Sequence, residues 1–149
     1  MDNELKKQQK TNKLASWSIS KETLACDWLG KTEKEKNIKF KQGQVVMCEI
    51  GENIGYEICN VRPSIVISDG RYSSMGQLTI IPLTKNTSKN LKTHYTLFES
   101  KYPFLSFDSC VKTEQIKSVS STRMNKILGQ IDEEDLKKIK VRLKSLFRI

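Results

Sequence analysis

The stretch GYEICNVRPSIVIS, residues 55–68, decides the fold. It predicts a loop with one acid and one arginine that leads directly into a short apolar strand. The strand is predicted over residues 64–68, where β-branched residues dominate, and Pro63 suits its first position because the missing N–H breaks no ladder bond there. Arg62 precedes a proline, which favours an extended backbone and holds its side chain at the strand entrance. An arginine fixed in this way can bind two oxygens of one phosphate group.

The length and charge of the chain indicate one basic domain with a small appendage. The 149 residues are enough to bury a core without disulfides. Lys and Arg number 26 against 17 Asp and Glu, which gives a formal charge of +9. This excess favours a polyanionic partner, nucleic acid or an anionic membrane surface, although ordinary solubility charge is the alternative. No stretch approaches the roughly 18 apolar residues of a membrane span, so no membrane association is predicted.

The cysteines predict neither a disulfide framework nor a metal site. Cys26, Cys48, Cys59 and Cys110 are widely spaced, without a C-x-x-C pair, and the chain has a single histidine. We therefore expect four reduced thiols, no cofactor and a cytoplasmic location.

Residues 1–43 are predicted to form an N-terminal extension that is partly disordered. Residues 1–15 are rich in Lys, Gln and Asn and have little apolar surface to bury, so we expect disorder there. Ser20 is a candidate N-cap for a short helix over residues 21–29, with Leu24 and Trp28 on its apolar face. Because so short a helix is not stable alone, it must pack on the main domain or on a partner. Residues 31–41 are predicted to be a solvated linker of mixed charge.

Residues 44–149 are predicted to form the main domain. Strands are expected at residues 44–50, 64–68, 77–82, 94–99, 109–111 and 115–119, with a polar loop at 84–93. A helix follows, with Asp132 as its N-cap and an apolar face formed by Leu136, Ile139, Leu143 and Leu146. Many short strands followed by one helix predict a mainly β, α+β fold, in which a small barrel is covered by a helix.

Four short motifs occur in one order along this domain. They are G-x-E-x-x-x-x-R-P at 55–63, P-L-T at 82–84, T-H at 93–94 and E-Q-I-K-S at 114–118. Each is weak alone, but their order and spacing resemble the MazF/PemK family, the toxins of bacterial toxin–antitoxin modules, over about residues 44–147. The resemblance implies an SH3-like barrel with a C-terminal helix, paired as a homodimer.

The resemblance also implies an activity and a partner. Family members cleave single-stranded RNA at short sequences without a metal ion, and the ribose 2′-hydroxyl attacks the neighbouring phosphate. The products are a 2′,3′-cyclic phosphate and a 5′-hydroxyl, and a cognate antitoxin inhibits the enzyme. A non-catalytic barrel that binds nucleic acid or a protein is the alternative, because Asn60 and Lys117 stand where the family commonly has glycine and arginine.

The family's catalytic residues map onto Arg62, Thr84 and Glu57. In-line attack needs a base at the 2′-hydroxyl and hydrogen-bond donors for the phosphate oxygens. Arg62 and Thr84 are the candidate donors, and Glu57 is the candidate base because it is the obvious carboxylate near Arg62 in sequence. Two alternatives stay open: Arg62 paired with Glu57 as a loop clamp, and Thr84 as an ordinary turn residue.

A second group of residues is predicted to contact RNA. Gln115, Lys117 and Lys85 are expected to bind bases and phosphates, and Tyr56 to stack on an unpaired base. Ser64, next to Arg62 and Pro63, completes the predicted contacts. The single histidine, His94, is expected to pack or to form a local hydrogen bond.

Overall fold

The computed structural model describes residues 2–85 and 91–149. Three α-helices and seven strands occur in the described residues, in the order α1 Asn3–Gly30, α2 Glu33–Lys36, β1 Gln44–Gly51, β2 Asn60–Val66, β3 Gln77–Thr84, β4 His94–Leu97, β5 Ser109–Lys112, β6 Lys117–Ser120, β7 Met124–Gln130 and α3 Glu133–Phe147. Residues 86–90 of the predicted polar loop lie outside the described residues.

The strands form one sheet in the order β4-β5-β3-β2-β1-β7, and β6 pairs with β3 off this path. Every ladder is antiparallel. Strand β3 changes partners along its length, pairing first with β6 and, at Leu83 and Thr84, with β5. In the described residues β4 and β7 do not pair with each other, so the sheet is not a closed barrel. The α+β architecture with a C-terminal helix is confirmed.

Alternate residues of the central strands enter two separate cores. Val45, Ile65 and Ile81 belong to one buried cluster, which also contains Leu136 and Ile139 of α3. The opposite face of the same strands packs in a second cluster around residues from β6 and from the segment before β1, namely Val46, Val66, Ile80, Val119 and Phe40. Because successive side chains of a strand point to opposite faces, a sheet covered on both sides needs continuous apolar runs. This explains the apolar run at residues 64–68.

Strand β2 begins earlier than predicted. It starts at Asn60 rather than residue 64, so Arg62 and Pro63 are strand residues, and it ends at Val66. Pro63 is tolerated inside the strand because the ladder to β3 begins only at Ser64, and at Pro63 that side of β2 is an edge. Asn60 has φ +78°, a left-handed conformation that asparagine tolerates.

The prediction for the N-terminal residues was wrong in two respects. Residues 1–15 were expected to be disordered, but α1 is continuous from Asn3 to Gly30 and is capped by Asp2. Ser20 is not an N-cap; it lies within α1, and its hydroxyl donates to the Ser16 carbonyl oxygen at 3.5 Å. The Lys, Gln, Glu, Leu and Ala residues of this segment have high intrinsic helix propensity, which outweighs their low hydrophobicity. No helix in the described part of the chain is long and apolar enough to cross a membrane.

Three further segments differ from the prediction: the linker before β1, the turn that contains Gln115, and strand β7. The predicted linker contains α2, one turn with a reciprocal capping box between Thr32 and Glu35. Gln115 lies in a 3-10 turn, Thr113–Gln115, and the strand predicted there begins only at Lys117. Strand β7 was not predicted because its side chains, mostly exposed, lack apolar alternation. The C-terminal helix was predicted correctly, and the Asp132 carboxylate accepts from the Asp135 N–H at 2.9 Å.

Candidate functional site

Strand geometry puts Arg62 and Thr84 on one face of the sheet. The β2–β3 ladder ends at the pair formed by Ser64 and Pro82, and Arg62 and Thr84 each lie two residues beyond this pair, at the same end of the ladder. Because side chains two residues apart on a strand share a face, Arg62 lies on the face of Ser64 and Thr84 on that of Pro82, which is the same face of the sheet. The two positions are 22 residues apart in sequence, and the antiparallel pairing brings their strand ends to one end of the sheet.

The Arg62 side chain is held by backbone rather than by an acid. Its Nε donates to the Cys59 carbonyl oxygen at 2.5 Å, and the side chain is half-buried. Within the described residues Arg62 forms no ion pair, so the alternative of a clamp between Arg62 and Glu57 is not observed. The contact through Nε aims the guanidinium, while the described residues provide no acceptor for its terminal nitrogens. That arrangement suits an anionic ligand.

Thr84 is the last residue of β3 and not a turn residue. It pairs with Cys110 of β5 and is half-buried. The exposed Lys85 follows it, with Nζ 5.5 Å from the centre of the Phe107 ring. A hydroxyl on a strand end has less freedom than one in a turn, which favours a fixed hydrogen-bond donor at this position.

The loop that carries Glu57 is a tight turn on the surface. The Glu57 Oε1 accepts from the Ile54 N–H at 2.9 Å, and the Glu57 N–H donates to the Ile54 carbonyl oxygen at 3.1 Å. Gly55 has φ +60° in this turn, a conformation that favours glycine. Glu57 is exposed, and the Tyr56 side chain is fully exposed. Both side chains are therefore accessible to a ligand.

Gln115 holds this loop from the opposite side. Its Oε1 accepts from the Ile58 N–H at 3.1 Å, and its Nε2 donates to the Tyr56 carbonyl oxygen at 3.0 Å. The amide predicted to contact RNA thus has both ends engaged within the protein. Next to it is a pocket of about 180 Å³, which we call the Glu57 pocket; its lining includes Glu57, Gln115, Lys117, Asn53 and Pro82.

Two predicted residues differ from the rest in their burial. Ser64 is completely buried, and its hydroxyl faces the Arg62 carbonyl oxygen at 3.4 Å, so the structure does not bring it to the surface. His94 is buried as well, with Nε2 2.6 Å from Oε1 of Glu114, which is the local hydrogen bond expected from sequence. The Arg142 Nε donates to the His94 carbonyl oxygen at 3.3 Å and links this pair to α3.

Sequence reasoning missed Asn53, which holds the Glu57 loop, and Arg123, which holds the end of β1 before that loop. The Asn53 Nδ2 donates to the Ile58 carbonyl oxygen at 2.8 Å, and the Asn53 N–H donates to Sγ of Cys59 at 3.2 Å. An asparagine between two glycines is typical of such turns, so this role was detectable. Arg123 was not detectable: its Nη1 donates to the Glu49 and Ile50 carbonyl oxygens at 3.1 and 3.3 Å, far away in sequence.

Metal-binding and thiol chemistry receive no support from the described residues. Across residues 2–85 and 91–149, no three His, Cys, Asp or Glu side chains are grouped as metal ligands. All four cysteines are free. Burial is the main cause that raises the pKa of Cys48 to about 12, so this thiol stays protonated and acts as a small apolar side chain.

Several known proteins are similar to this chain in sequence or in structure. Endoribonuclease MazF9 of Mycobacterium tuberculosis (strain ATCC 25618 / H37Rv) is 24% identical over 111 residues, which are 70% of this chain and 93% of that protein. The crystal structure of MazF from Deinococcus radiodurans superposes with a TM-score of 0.64 at 21% identity, covering 75% of this chain and 99% of that one. An endoribonuclease in complex with its cognate antitoxin, from mycobacterial species, gives a TM-score of 0.57 at 19% identity and covers 74% and 96%.

The sequence family determines the assignment, because structural likeness at such low identity shows the fold alone. Residues 41–147 match the family model described as the PemK-like, MazF-like toxin of type II toxin–antitoxin systems. The match includes β1 to β7 and the whole of α3, together with Arg62, Thr84 and the Glu57 loop. The chain therefore belongs to the PemK-like, MazF-like toxins of type II toxin–antitoxin systems.

Proposed function

We propose that this protein is a toxin that cleaves single-stranded RNA at short sequences without a metal ion. The observation that carries the proposal is the β2–β3 pairing, which brings the strand ends with Arg62 and Thr84 to one end of the sheet, together with the pocket that Glu57 and Pro82 of β3 line. The similarity to a mycobacterial endoribonuclease supports the same reaction class. The basic charge of the chain suits a polyanionic substrate.

The proposed reaction is an in-line phosphoryl transfer from the 5′-oxygen to the 2′-oxygen. The 2′-oxygen forms a bond to phosphorus while the bond from phosphorus to the 5′-oxygen breaks, which leaves a 2′,3′-cyclic phosphate and a 5′-hydroxyl. The Glu57 carboxylate accepts the proton of the 2′-hydroxyl, the departing 5′-oxygen takes a proton from solvent water, and Glu57 later returns its proton to solvent. Glu57 is accessible for this role at the surface, and its Oε1 is oriented by the Ile54 N–H.

Arg62 supplies the main stabilisation of the transition state in this proposal. The bond from Nε to the Cys59 carbonyl oxygen fixes the plane of the guanidinium, so its terminal nitrogens can bind two phosphoryl oxygens together. Removing a preorganised donor of this kind typically lowers kcat by about 10² to 10³-fold. Thr84 donates its hydroxyl to the same phosphate group.

The remaining contacts are assigned by accessibility. Lys85 and Lys117 bind backbone phosphates on either side of the scissile bond, and Tyr56 stacks on an unpaired base. Gln115 acts indirectly by holding the loop through Ile58 and Tyr56. Ser64, which is buried, supports Arg62 from below rather than touching RNA.

We further propose that the protein acts as a homodimer in the cytoplasm and is inhibited by a cognate antitoxin. Two similar solved structures are a toxin with its cognate antitoxin and MazE-MazF from Deinococcus radiodurans. The four free cysteines suit a reducing compartment.

The decisive experiment is cleavage of a long unstructured RNA in EDTA, with mapping of the product ends. The parent protein is compared with Arg62→Ala, Arg62→Lys and the control Arg71→Ala, which removes an exposed arginine paired with Asp69. We expect discrete cuts with cyclic phosphate ends, a loss of about 10² to 10³-fold in kcat for Arg62→Ala, and little rescue by lysine, which lacks the planar fork. Arg71→Ala should cleave like the parent.

Two results would overturn the proposal. Intact RNA with folded, antitoxin-free parent protein would instead favour a non-catalytic barrel, particularly if RNA binding persisted in Arg62→Ala. Cleavage that requires an added divalent cation would refute the metal-independent mechanism while leaving ribonuclease activity in place.

A further inference from the structure

We propose that α1 is a positioning element for the active site, in which Lys10 and Trp17 fix the loop that carries Glu57. The inference rests on the proposed ribonuclease function and adds a device to it. Helix α1 lies outside residues 41–147, the part that matches the toxin family. Its contacts with the Glu57 loop are therefore a feature of this chain beyond the family's domain.

Lys10 contacts Glu52 and Asn53, the first residues of the loop. Its Nζ lies 2.6 Å from Oε1 of Glu52 and also donates to the Asn53 carbonyl oxygen. The Glu52 side chain is only 11% exposed and that of Lys10 is 37% exposed, so this ion pair is partly buried and differs from the surface pair between Lys7 and Glu4. The hydrogen bond to Glu52 is the main cause that raises the pKa of Lys10. Lys10 thus holds the residues that lead into the turn with Glu57.

Trp17 fixes the end of β1, immediately before the loop. A Cβ on Gly51 would lie 2.2 Å from the Trp17 ring, so the ring rests directly on the glycine backbone. The Arg123 guanidinium lies 5.6 Å from the centre of the same ring and donates to the Glu49 and Ile50 carbonyl oxygens. The end of β1 is thereby held between α1 and Arg123.

A short series of contacts connects this anchor to Arg62. Asn53, whose carbonyl oxygen is held by Lys10, donates to the Ile58 carbonyl oxygen and to Sγ of Cys59. The Cys59 carbonyl oxygen accepts the bond from Nε that aims Arg62. Movement of the loop start therefore changes the position of both Glu57 and the Arg62 guanidinium. Misplacement of reacting groups by about 1 Å can reduce catalysis by about 10²-fold.

The test compares Lys10→Ala and Glu52→Gln, which change the protein's charge in opposite directions but break the same contact. If Lys10 positions the loop, both variants lower kcat about 10-fold with little change in KM, and the double variant is no worse than either alone. Lys10→Arg should restore most of the rate. Lys7→Ala is the matched control, because it removes the same charge from an exposed site on the same helix and should match the parent.

If Lys10 merely contacts RNA, KM rises in Lys10→Ala and falls or stays constant in Glu52→Gln, while kcat is unchanged. That pattern would overturn the inference and leave the proposed function intact. Kinetics like those of the parent in both Lys10→Ala and Glu52→Gln would also overturn the inference and leave the proposed function intact.

Hydrogen–deuterium exchange tests the inference without relying on activity. Lys10→Ala and Trp17→Ala should speed exchange at residues 52–59 by several-fold, while β2 and β3 exchange as in the parent. Unchanged exchange in this loop would refute the positioning role. If the parent protein proved unable to cleave RNA, the proposed function would fail, and the exchange data would still decide whether α1 holds the loop.

Discussion

The two long helices of this protein are attached to the same sheet in opposite ways. Helix α3 has 15 residues and contributes Leu136 and Ile139 to a buried core cluster. Helix α1 is nearly twice as long, with 28 residues, and although the structure describes all of them, none is buried. The comparison teaches that helix length says little about how firmly a helix is integrated, because apolar burial, not the number of backbone hydrogen bonds, dominates tertiary stability.

Polar contacts also attach α3 to the main domain more extensively than α1. Asp135 of α3 accepts hydrogen bonds from the hydroxyls of Tyr95 and Tyr102 and lies 2.9 Å from Nζ of Lys101. Asp135 therefore ties the first turn of α3 to β4 and to the segment that follows it. Helix α1 is attached instead at separated points, by the ends of Lys10, Trp17 and, near Gly76, Trp28. We expect α3 to unfold with the barrel and α1 to detach on its own.

The largest expected effect comes from truncating the core side of α3. Ile139 is completely buried, so Ile139→Ala should lower the free energy of unfolding by about 2–5 kcal/mol, because the substitution leaves a cavity. Val141→Ala in the same helix, at a residue 51% exposed, should lower it by less than about 0.5 kcal/mol. Urea unfolding followed by far-UV circular dichroism measures both. Equal losses would show that α3 is not a core helix.

The next effect is the pH dependence that Asp135 gives to α3. Burial is the largest single influence on its pKa and raises it, but hydrogen bonds from Tyr102, Tyr95 and Lys101 together outweigh burial, so the pKa lies below its usual value. A carboxyl group with a lowered folded-state pKa stabilises the protein above the unfolded pKa of about 3.9, and this stability is lost as pH falls through the folded value. Asp135→Asn should therefore flatten the stability curve below pH about 4.

The same variant should lower stability at neutral pH by about 1–3 kcal/mol, because two phenolic hydroxyls lose their charged acceptor. At high pH the two tyrosines give a pH dependence of the opposite sign, because stability then falls as pH rises. Burial chiefly raises the pKa of Tyr95 and of Tyr102 to about 12, so parent stability should fall as pH rises from about 10, the unfolded value, towards 12. If Asp135→Asn left the loss of stability at acid pH unchanged, this pH dependence would come from other groups.

A matched pair of glycines tests how α1 is seated. Gly51 and Gly55 both have positive φ, at +91° and +60°, so an alanine at either strains the backbone by about 1–2 kcal/mol. Only the alanine at 51 would also meet the Trp17 ring; around Gly55 nothing lies within 4 Å. Gly51→Ala should therefore shift tryptophan emission to longer wavelength in addition to lowering stability, whereas Gly55→Ala should only lower it. The same emission from both would mean that Trp17 is not seated on Gly51.

The smallest expected effect needs no substitution. Both tryptophans of the chain, Trp17 and Trp28, are on α1, so tryptophan fluorescence, excited where tyrosine does not absorb, reports on the surroundings of α1. Because α1 contributes no buried residue, its release should precede unfolding of the barrel, and the fluorescence midpoint on heating should fall below that of the β-sheet signal. Coincident transitions would show that α1 and the barrel unfold as one unit.

Local sequence rules worked where a residue's role depends on near neighbours. The α3 cap and the apolar strands of the main domain followed from spacing and residue type. The rules failed where a distant partner decides. Residues 1–15 carry too little apolar surface to predict an ordered segment, but α1 is anchored through Trp17 and Trp28, which contact Gly51 and Gly76 far along the chain.

The sequence by itself determined the family, the strand that follows Arg62 and Pro63, and the identities of the candidate catalytic residues. Only the tertiary structure decided how they are arranged: the β2–β3 pairing brings the strand ends with Arg62 and Thr84 to one end of the sheet, Gln115 holds the Glu57 loop, and Lys10 reaches that loop from outside the family's domain. The physical reason is that residue type and spacing record local preferences, whereas a hydrogen bond between residues 42 or 57 positions apart exists only once the chain has paired its strands.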